Sequence, residues 1–387
     1  METIVCDISA FQYWRTPPIV RLLAAAPEDN PILQSLVSQD ELTSLRLNLS
    51  ETLPLSKTCS VSSPHWRKAG TRSRNIRDIY ALLSVSMAGP VDTLVQSDSE
   101  RHESSLLRAR LWSAELPLGS TAPLSDELSV ASPELALHQL AARTTLVRTV
   151  LLASELCGSF SIYQAPAPVA RILQRLLDSR RLPRLGGWGP CTDRNGNLSN
   201  LWSRKPLVTP HELATFAENS ESRNGRARLL KASELVVPNA ASPFEAQAGV
   251  LLGFSRRHGG EGYSGFEHNK QIRLSSEARL LAGKDTCYCD IYFDEGLDVE
   301  CQSALCHSTE SSLLSDSNRS AGLELMGVKV LPVTFEHLTS TRRFTALAHA
   351  VANMRGLSYR KKTSSQLEAS VNLRREVLVD WKSLPFV

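Results

Sequence analysis

Hydrophobic positions in the second half of the chain switch repeatedly between the spacing of a helix and that of a strand. A helix buries a residue every three or four positions, whereas a strand alternates between its two faces. A strand–helix–strand unit after a hairpin predicts a mixed sheet flanked by helices. The predicted elements are, in order, a helix from Ser242, a strand at 269–275, a hairpin at 287–303, a helix ending at Gly327, a strand at 328–334 and a helix at 342–356.

The predicted hairpin places two carboxylates opposite each other. Centring its three-residue loop on Glu295 pairs Asp290 with Glu300, and it pairs Cys289 with Cys301. Alternation then assigns the two cysteines to an apolar, buried face and the two acids to a polar face. Facing carboxylates repel each other, and a divalent cation would relieve that repulsion. The alternative is the ordinary solvated face of a half-buried antiparallel hairpin.

The first half of the chain shows weaker periodicity. A strand entering a helix is predicted at the N-terminus, and residues 36–77 are predicted to be irregular. A long helix is predicted after Ser132, which caps it, with Pro133 at the first helical position. The remaining predicted elements are short strands at 90–97 and 109–116 and helices at 208–220 and 221–236.

The composition indicates a broad class of protein but says little about its function. At 387 residues, with 42% hydrophobic and 21% charged residues, the chain is expected to form two or three ordinary soluble domains. The net charge of +3 permits nucleic-acid binding without requiring it. The eight cysteines lack the dense spacing of a secreted scaffold, and neither a signal peptide nor an apolar run of membrane length is found. We therefore expect a cytoplasmic protein with reduced thiols and no membrane association.

Three further residues are candidates for chemistry near the facing carboxylates. Glu245 forms a helix capping box with Ser242 and is also a candidate third carboxylate, and the two roles are compatible. Gln302 lies two residues after Glu300, where it can orient a water molecule but cannot usefully accept its proton. His307 is either a surface histidine or a general acid or base near a metal.

The cysteines and the basic residues each allow two interpretations. Four cysteines and one histidine between 287 and 307 lack the paired short spacing of a zinc module, so buried cysteines are favoured over zinc ligands. Arg226 and Arg228 lie in a basic helix that either contacts phosphates or is an ordinary solvated helix.

The stretches "SPFE", "CDIYFDEGLDVECQ", "CHS" and "SDSNRSAGLELMGVKVLPVT" resemble the PD-(D/E)XK nuclease superfamily, specifically its very-short-patch-repair (Vsr-like) endonuclease domains. The resemblance covers about residues 242–355. It implies that Asp290 and Glu300 bind Mg²⁺ or Mn²⁺, that Glu245 supports them, and that His307 lies near the cleavage centre of a DNA endonuclease.

Other positions of the same resemblance concern the substrate and the water molecule. Asp316 and Arg319 match polar positions of the following helix, and Arg319 is expected to contact DNA. Gln302 departs from the usual Asp or Lys of the family, which puts catalysis in doubt but not the fold. A non-catalytic, antitoxin-like regulator or binding protein with a degenerate nuclease fold is therefore the alternative function.

The N-terminal half resembles AbiEi-like antitoxin proteins in "PVDTLVQS", "ARLWS" and "LSVASPELALHQLA". This resemblance implies a place in phage defence or in a toxin–antitoxin pair, with a toxin or defence protein as a partner. The expected fold class is α/β (α+β). The expected organisation is an AbiEi-like recognition domain at 1–180, a helical linker at 181–240, an endonuclease-like domain at 241–360 and a tail at 361–387.

Overall fold

A computed structural model describes residues 3–52, 90–101, 107–302 and 310–386 of the chain. The fold belongs to the α/β class, as predicted, because helices accompany sheets that contain both parallel and antiparallel pairs. The strands are β1 (Thr3–Val5), β2 (Val91–Val95), β3 (Leu107–Leu111), β4 (Thr121–Ser125), β5 (Leu128–Ala131), β6 (Phe160–Ile162), β7 (Gly189–Thr192), β8 (Leu198–Ser203), β9 (Phe266–Arg273), β10 (Thr286–Phe293), β11 (Leu297–Gln302) and β12 (Lys329–Thr334).

Several helices begin where the sequence has a capping residue. The side chains of Ser132, Thr209 and Ser242 each accept a hydrogen bond from the backbone of the first turn, and a proline follows each of them. The helices are α1 (Asp7–Arg15), α2 (Pro18–Ala25), α3 (Pro31–Leu36), α4 (Gln39–Thr52), α5 (Pro133–Ala141), α6 (Leu146–Leu156), α7 (Ala167–Asp178), α8 (Pro210–Asn219), α9 (Arg226–Leu235), α10 (Pro243–Gly253), α11 (Ser276–Ala282), α12 (Glu310–Leu325), α13 (Phe335–Thr339), α14 (Thr341–Met354) and α15 (Ser364–Val377).

Within the described ranges the strands form three sheets, and the C-terminal one is the mixed sheet that the sequence predicts. Its order is β12-β11-β10-β9, with β11 and β12 parallel and the other neighbours antiparallel. The N-terminal sheet has the order β3-β2-β1-β5-β4, and a smaller sheet has the order β6-β8-β7.

The C-terminal sheet packs against a different hydrophobic cluster on each face. The central core draws buried residues from both halves of the chain, among them Phe11, Leu140, Ile291 and Trp381. A smaller cluster, which we call the small core, lies under α11 and α12. Its buried residues are Leu274, Ala278, Ala282, Cys287, Cys289, Leu323 and Val328.

Two segments in the first half of the chain differ from their predicted state. Part of the supposedly irregular region 36–77 is helix α4, because Leu42, Leu45 and Leu49 recur at helical spacing and are buried; residues 53–77 lie outside the described part. The long helix after Ser132 is instead two helices, since Thr145 caps a second start.

The segments expected to be linker and tail are packed. Residues 181–240 contain β7, β8, α8 and α9, and Leu213 and Leu229 are fully buried in the central core. Residues 361–387 include α15, whose Val377 is buried in the central core, as is Trp381. Among the helices described, none has the length and hydrophobicity needed to cross a membrane.

Candidate functional site

The hairpin of β10 and β11 has the register predicted from its turn. Tyr292 pairs with Asp298 and Phe293 pairs with Leu297, around a loop in which Gly296 has a φ of 78°. Regular pairing of β10 with β11 stops at Tyr292, and extending the same register by two residues places Asp290 across from Glu300. There the Asp290 carboxylate replaces a backbone carbonyl group as hydrogen-bond acceptor. Its Oδ2 accepts a hydrogen bond of 2.8 Å from the Cys301 N–H.

The faces of β10 do not follow the simple alternation that the sequence predicts. Cys289 is fully buried, as expected, but it lies in the small core, whereas Ile291 lies in the central core on the other face of the sheet. Cys301 is only half-buried and packs against the central core, so the two cysteines lie on opposite faces. The prediction of one shared cysteine face is therefore wrong, because the alternation changes phase at Asp290.

Four carboxylates come together around Asp290, the position at which successive β10 side chains stop alternating regularly between the two faces of the sheet. Glu245 comes from α10, Asp290 from β10, and Asp298 and Glu300 from β11. Asp298 is completely buried, Glu245 is 6% exposed and the side chain of Glu300 is 21% exposed. Burying several acids together is costly unless each is paired, protonated or bound to a cation.

Glu245 is held by three hydrogen-bond donors. Its Oε2 accepts bonds from the Ala241 N–H at 2.7 Å and from the Asn269 amide at 2.6 Å, and its Oε1 accepts one from the Ser242 hydroxyl at 2.8 Å. The Ser242 hydroxyl in turn accepts the Glu245 N–H at 3.2 Å. Glu245 thus closes the start of α10, as predicted, and lies close enough to Asp290 and Glu300 to interact with their charges, while its role in catalysis stays a prediction.

Burial raises the pKa values of three carboxyl groups in this cluster. It raises the pKa of Glu245 to about 7 and that of Asp298 to about 7, with the charge of Glu300 adding to both shifts. Burial also raises the pKa of Asp290 well above its ordinary value, and repulsion from Glu245 and Glu300 adds to the rise. The folded state therefore holds protons that the unfolded state releases, so stability falls as the pH rises toward 7 in the absence of a cation.

Arg319 on α12 supplies a positive charge to the cluster. Its guanidinium lies 2.8 Å from Glu300 Oε2 and 3.5 Å from Asp298 Oδ2, and it donates to the carbonyl oxygen of Tyr288. The resemblance singled out Arg319 as a DNA contact, whereas here it forms an ion pair with a predicted metal ligand.

The remaining predicted site residues are less closely joined to the cluster. Gln302 lies at the end of β11, half-buried and paired with Thr334 of β12. His307 lies outside the described residues, and Asp316 lies within α12. The half-buried Arg226 and Arg228 instead donate to backbone carbonyls, at Glu218 and at Ala141 respectively. Both guanidinium groups therefore contribute to helix packing, and DNA contact by them stays a prediction.

Sequence reasoning gave no role to three residues of the site. Period-two alternation from Glu300 predicts that Asp298 lies on the polar face, but its side chain is completely buried. His268 is buried behind Asp290, and its Nδ1 donates to the Asp290 carbonyl oxygen at 3.0 Å; burial lowers its pKa to about 4, so the ring is neutral. Asn269 binds Glu245. Only the unusual "HN" pair within a strand could have indicated the last two residues.

The donor set can be tested for its fit to a divalent cation. Asp298 Oδ1 is buried and has no hydrogen-bond donor among the described residues, whereas Glu300 Oε2 is buried against the Arg319 guanidinium at 2.8 Å. No group of three or more Asp, Glu, His or Cys residues is arranged as a preformed metal site in the described ranges. Mg²⁺ commonly needs only one or two carboxylates, with water and substrate phosphate completing its shell, so Asp290 and Glu300 fit such an ion. Cys287 and Cys289 are buried free thiols, which fits the predicted core role.

Comparison of the chain with protein-family models, with curated proteins and with solved structures finds no match. The site must therefore be interpreted from its own geometry and chemistry.

Proposed function

We propose that this chain is a metal-dependent, endonuclease-like phosphodiesterase that acts on DNA. The observation that supports this best is the convergence of Glu245, Asp290 and Glu300, with raised pKa values at Glu245 and Asp290, where β10 and β11 separate. An ordinary solvated hairpin face would leave its acids in water at their usual pKa, and it would not bury Asp298 beside them.

Asp290 and Glu300 would hold Mg²⁺ or Mn²⁺, and the ion would supply charge stabilisation at the phosphate and a more acidic water molecule. Glu245, fixed by its three donors, accepts a hydrogen bond from that water molecule. Gln302 orients the same water molecule through its amide without taking its proton. Arg319 neutralises part of the developing charge on the phosphate once it leaves Glu300.

A non-catalytic regulator is the second candidate, and one observation favours it. The ion pair between Arg319 and Glu300 already neutralises a carboxylate that the nuclease needs for the ion. In this alternative the cluster is structural, and the chain binds DNA or a toxin or defence protein without cleaving anything. For either candidate we propose a cytoplasmic location, which the six free cysteines among the described residues support.

The two candidates differ in a plasmid assay. We expect weak nicking of supercoiled DNA that is stronger with Mn²⁺ than with Mg²⁺, since Gln302 stands where a lysine would activate water. Gln302→Lys should raise the rate, because a positioned acid–base group is worth about 10²- to 10⁴-fold. Gln302→Met, which has a similar length and no amide, is the matched control and should lower it. DNA that stays intact in every metal while gel shifts show binding would favour the regulator.

A further inference from the structure

Asn269 has a backbone conformation that strands rarely contain. It lies in the middle of β9, yet its φ is 51°, in the left-handed region. Asn239, just before α10, also has a left-handed φ, of 69°. Among residues other than glycine, asparagine tolerates this region best, and such strain persists only where the surroundings impose it.

The side chain of Asn269 joins these two unusual positions to the acidic cluster. Its amide nitrogen donates one hydrogen bond to the Asn239 carbonyl oxygen at 2.9 Å and another to Glu245 Oε2 at 2.6 Å. The two protons of one amide are therefore both used, and the direction in which the amide points is fixed. Asn239 takes part through its backbone oxygen.

The irregularity in β9 is matched by the one in β10. On either side of this position the pairing of β9 with β10 is regular, with Cys289 opposite Lys270 and Ile291 opposite His268. Asn269 and Asp290, which lie between these two pairs, do not form a regular pair. The change of face in β10 occurs at this same position. One left-handed residue thus both departs from the ladder beside Asp290 and reaches Glu245.

We infer that Asn269 is a positioning residue of the proposed active site, which orients the Glu245 carboxylate toward Asp290 and Glu300. The inference rests on the proposed function. Removing the amide leaves Glu245 with two of its three donors, so the carboxylate rotates and becomes harder to ionise. The left-handed backbone conformation of Asn269 is what allows its amide donor to lie between two strands and a helix.

Asn269→Gly removes the amide side chain but keeps the backbone conformation, because glycine adopts a left-handed φ without strain. We expect Mn²⁺ affinity, measured by calorimetry, to fall about tenfold, as is typical when a group that orients a metal-site residue is lost. Thermal stability should change little. Asn239→Gly is the matched control, since it keeps both the carbonyl oxygen and the conformation, and it should bind Mn²⁺ as wild type does. Wild-type affinity in Asn269→Gly would overturn the inference.

A second readout does not depend on the metal. In protein labelled with ¹³C at glutamate carboxyl groups, the Glu245 signal should titrate at higher pH in Asn269→Gly than in wild type, and at the wild-type pH in Asn239→Gly. If wild type binds no Mn²⁺ but this shift appears, the proposed function fails and the positioning role stands. If the Glu245 titration is the same in all three proteins, the positioning role fails.

Discussion

Glu300→Ala is expected to abolish metal-dependent nicking while the protein still binds DNA. Glu300 is one of the two carboxylates that fit a divalent cation, and its Oε2 lies 2.8 Å from the Arg319 guanidinium. On the proposed function, its removal takes away a metal ligand and frees Arg319, whose positive charge does not replace that ligand. Loss of an essential ligand should lower the rate by at least about 10²- to 10³-fold, to the background of the assay.

Glu295→Gln is the matched control for that variant. Glu295 belongs to the same hairpin and also pairs with an arginine, Arg355, at 2.8 Å, but it lies at the turn, away from Asp290. It should nick DNA as wild type does. Equal activity in Glu300→Ala and wild type would show that any cleavage comes from elsewhere in the chain or from a contaminant.

Glu155→Gln is expected to lower the free energy of unfolding by about 3–5 kcal/mol, because breaking a buried ion pair leaves an uncompensated charge. The side chains of Arg15 and Glu155 are 3% and 0% exposed, and two parallel contacts of 2.8 and 2.5 Å join them. The indole N–H of Trp381 also donates to Glu155 Oε2 at 2.6 Å. The carboxylate thus connects α1, α6 and the C-terminal segment.

Urea unfolding monitored by circular dichroism would measure this effect. Glu234→Gln breaks the exposed pair with Lys231 and should change the free energy of unfolding by less than about 1 kcal/mol. A loss in Glu155→Gln no larger than in that control would mean that the buried network contributes little to holding the C-terminal segment.

The sequence predicts the register of the hairpin because the information is local. The turn at Gly296 fixes which residues face each other, and a period of two residues fixes their order. The starts of α5, α8 and α10 are predictable for the same reason, since Ser132, Thr209 and Ser242 act on the turn that follows them. The mixed C-terminal sheet then follows from the order of its elements.

The change of face at Asp290 could not be predicted in this way. It coincides with the left-handed Asn269 in the neighbouring strand, and period-two reasoning within β10 contains no information about that residue. The same limit applies to the pair of Arg15 and Glu155, which are 140 positions apart in the chain. Burial and charge pairing between distant segments decide these features, whereas local pattern decides the elements that carry them.

The pairing of Arg319 with Glu300 shows the limit of the resemblance. The resemblance drew attention to both residues, yet it gave them separate roles at a metal and at DNA. Their distance of 2.8 Å follows from the packing of α12 on the C-terminal sheet. The nuclease proposal therefore requires that a cation compete with this arginine for Glu300, a requirement that motif reasoning does not contain.

Calorimetric titration of Mn²⁺ into wild type and into Asp290→Asn, at about pH 6 and about pH 8, tests the central claim most directly. Wild type should bind Mn²⁺ saturably and more tightly at the higher pH, because burial raises the pKa of Asp290 and the ion must displace protons from the cluster. Asp290→Asn should bind none. A wild type that binds no Mn²⁺ at either pH, or an Asp290→Asn variant that binds it equally well, would contradict a metal site at these carboxylates.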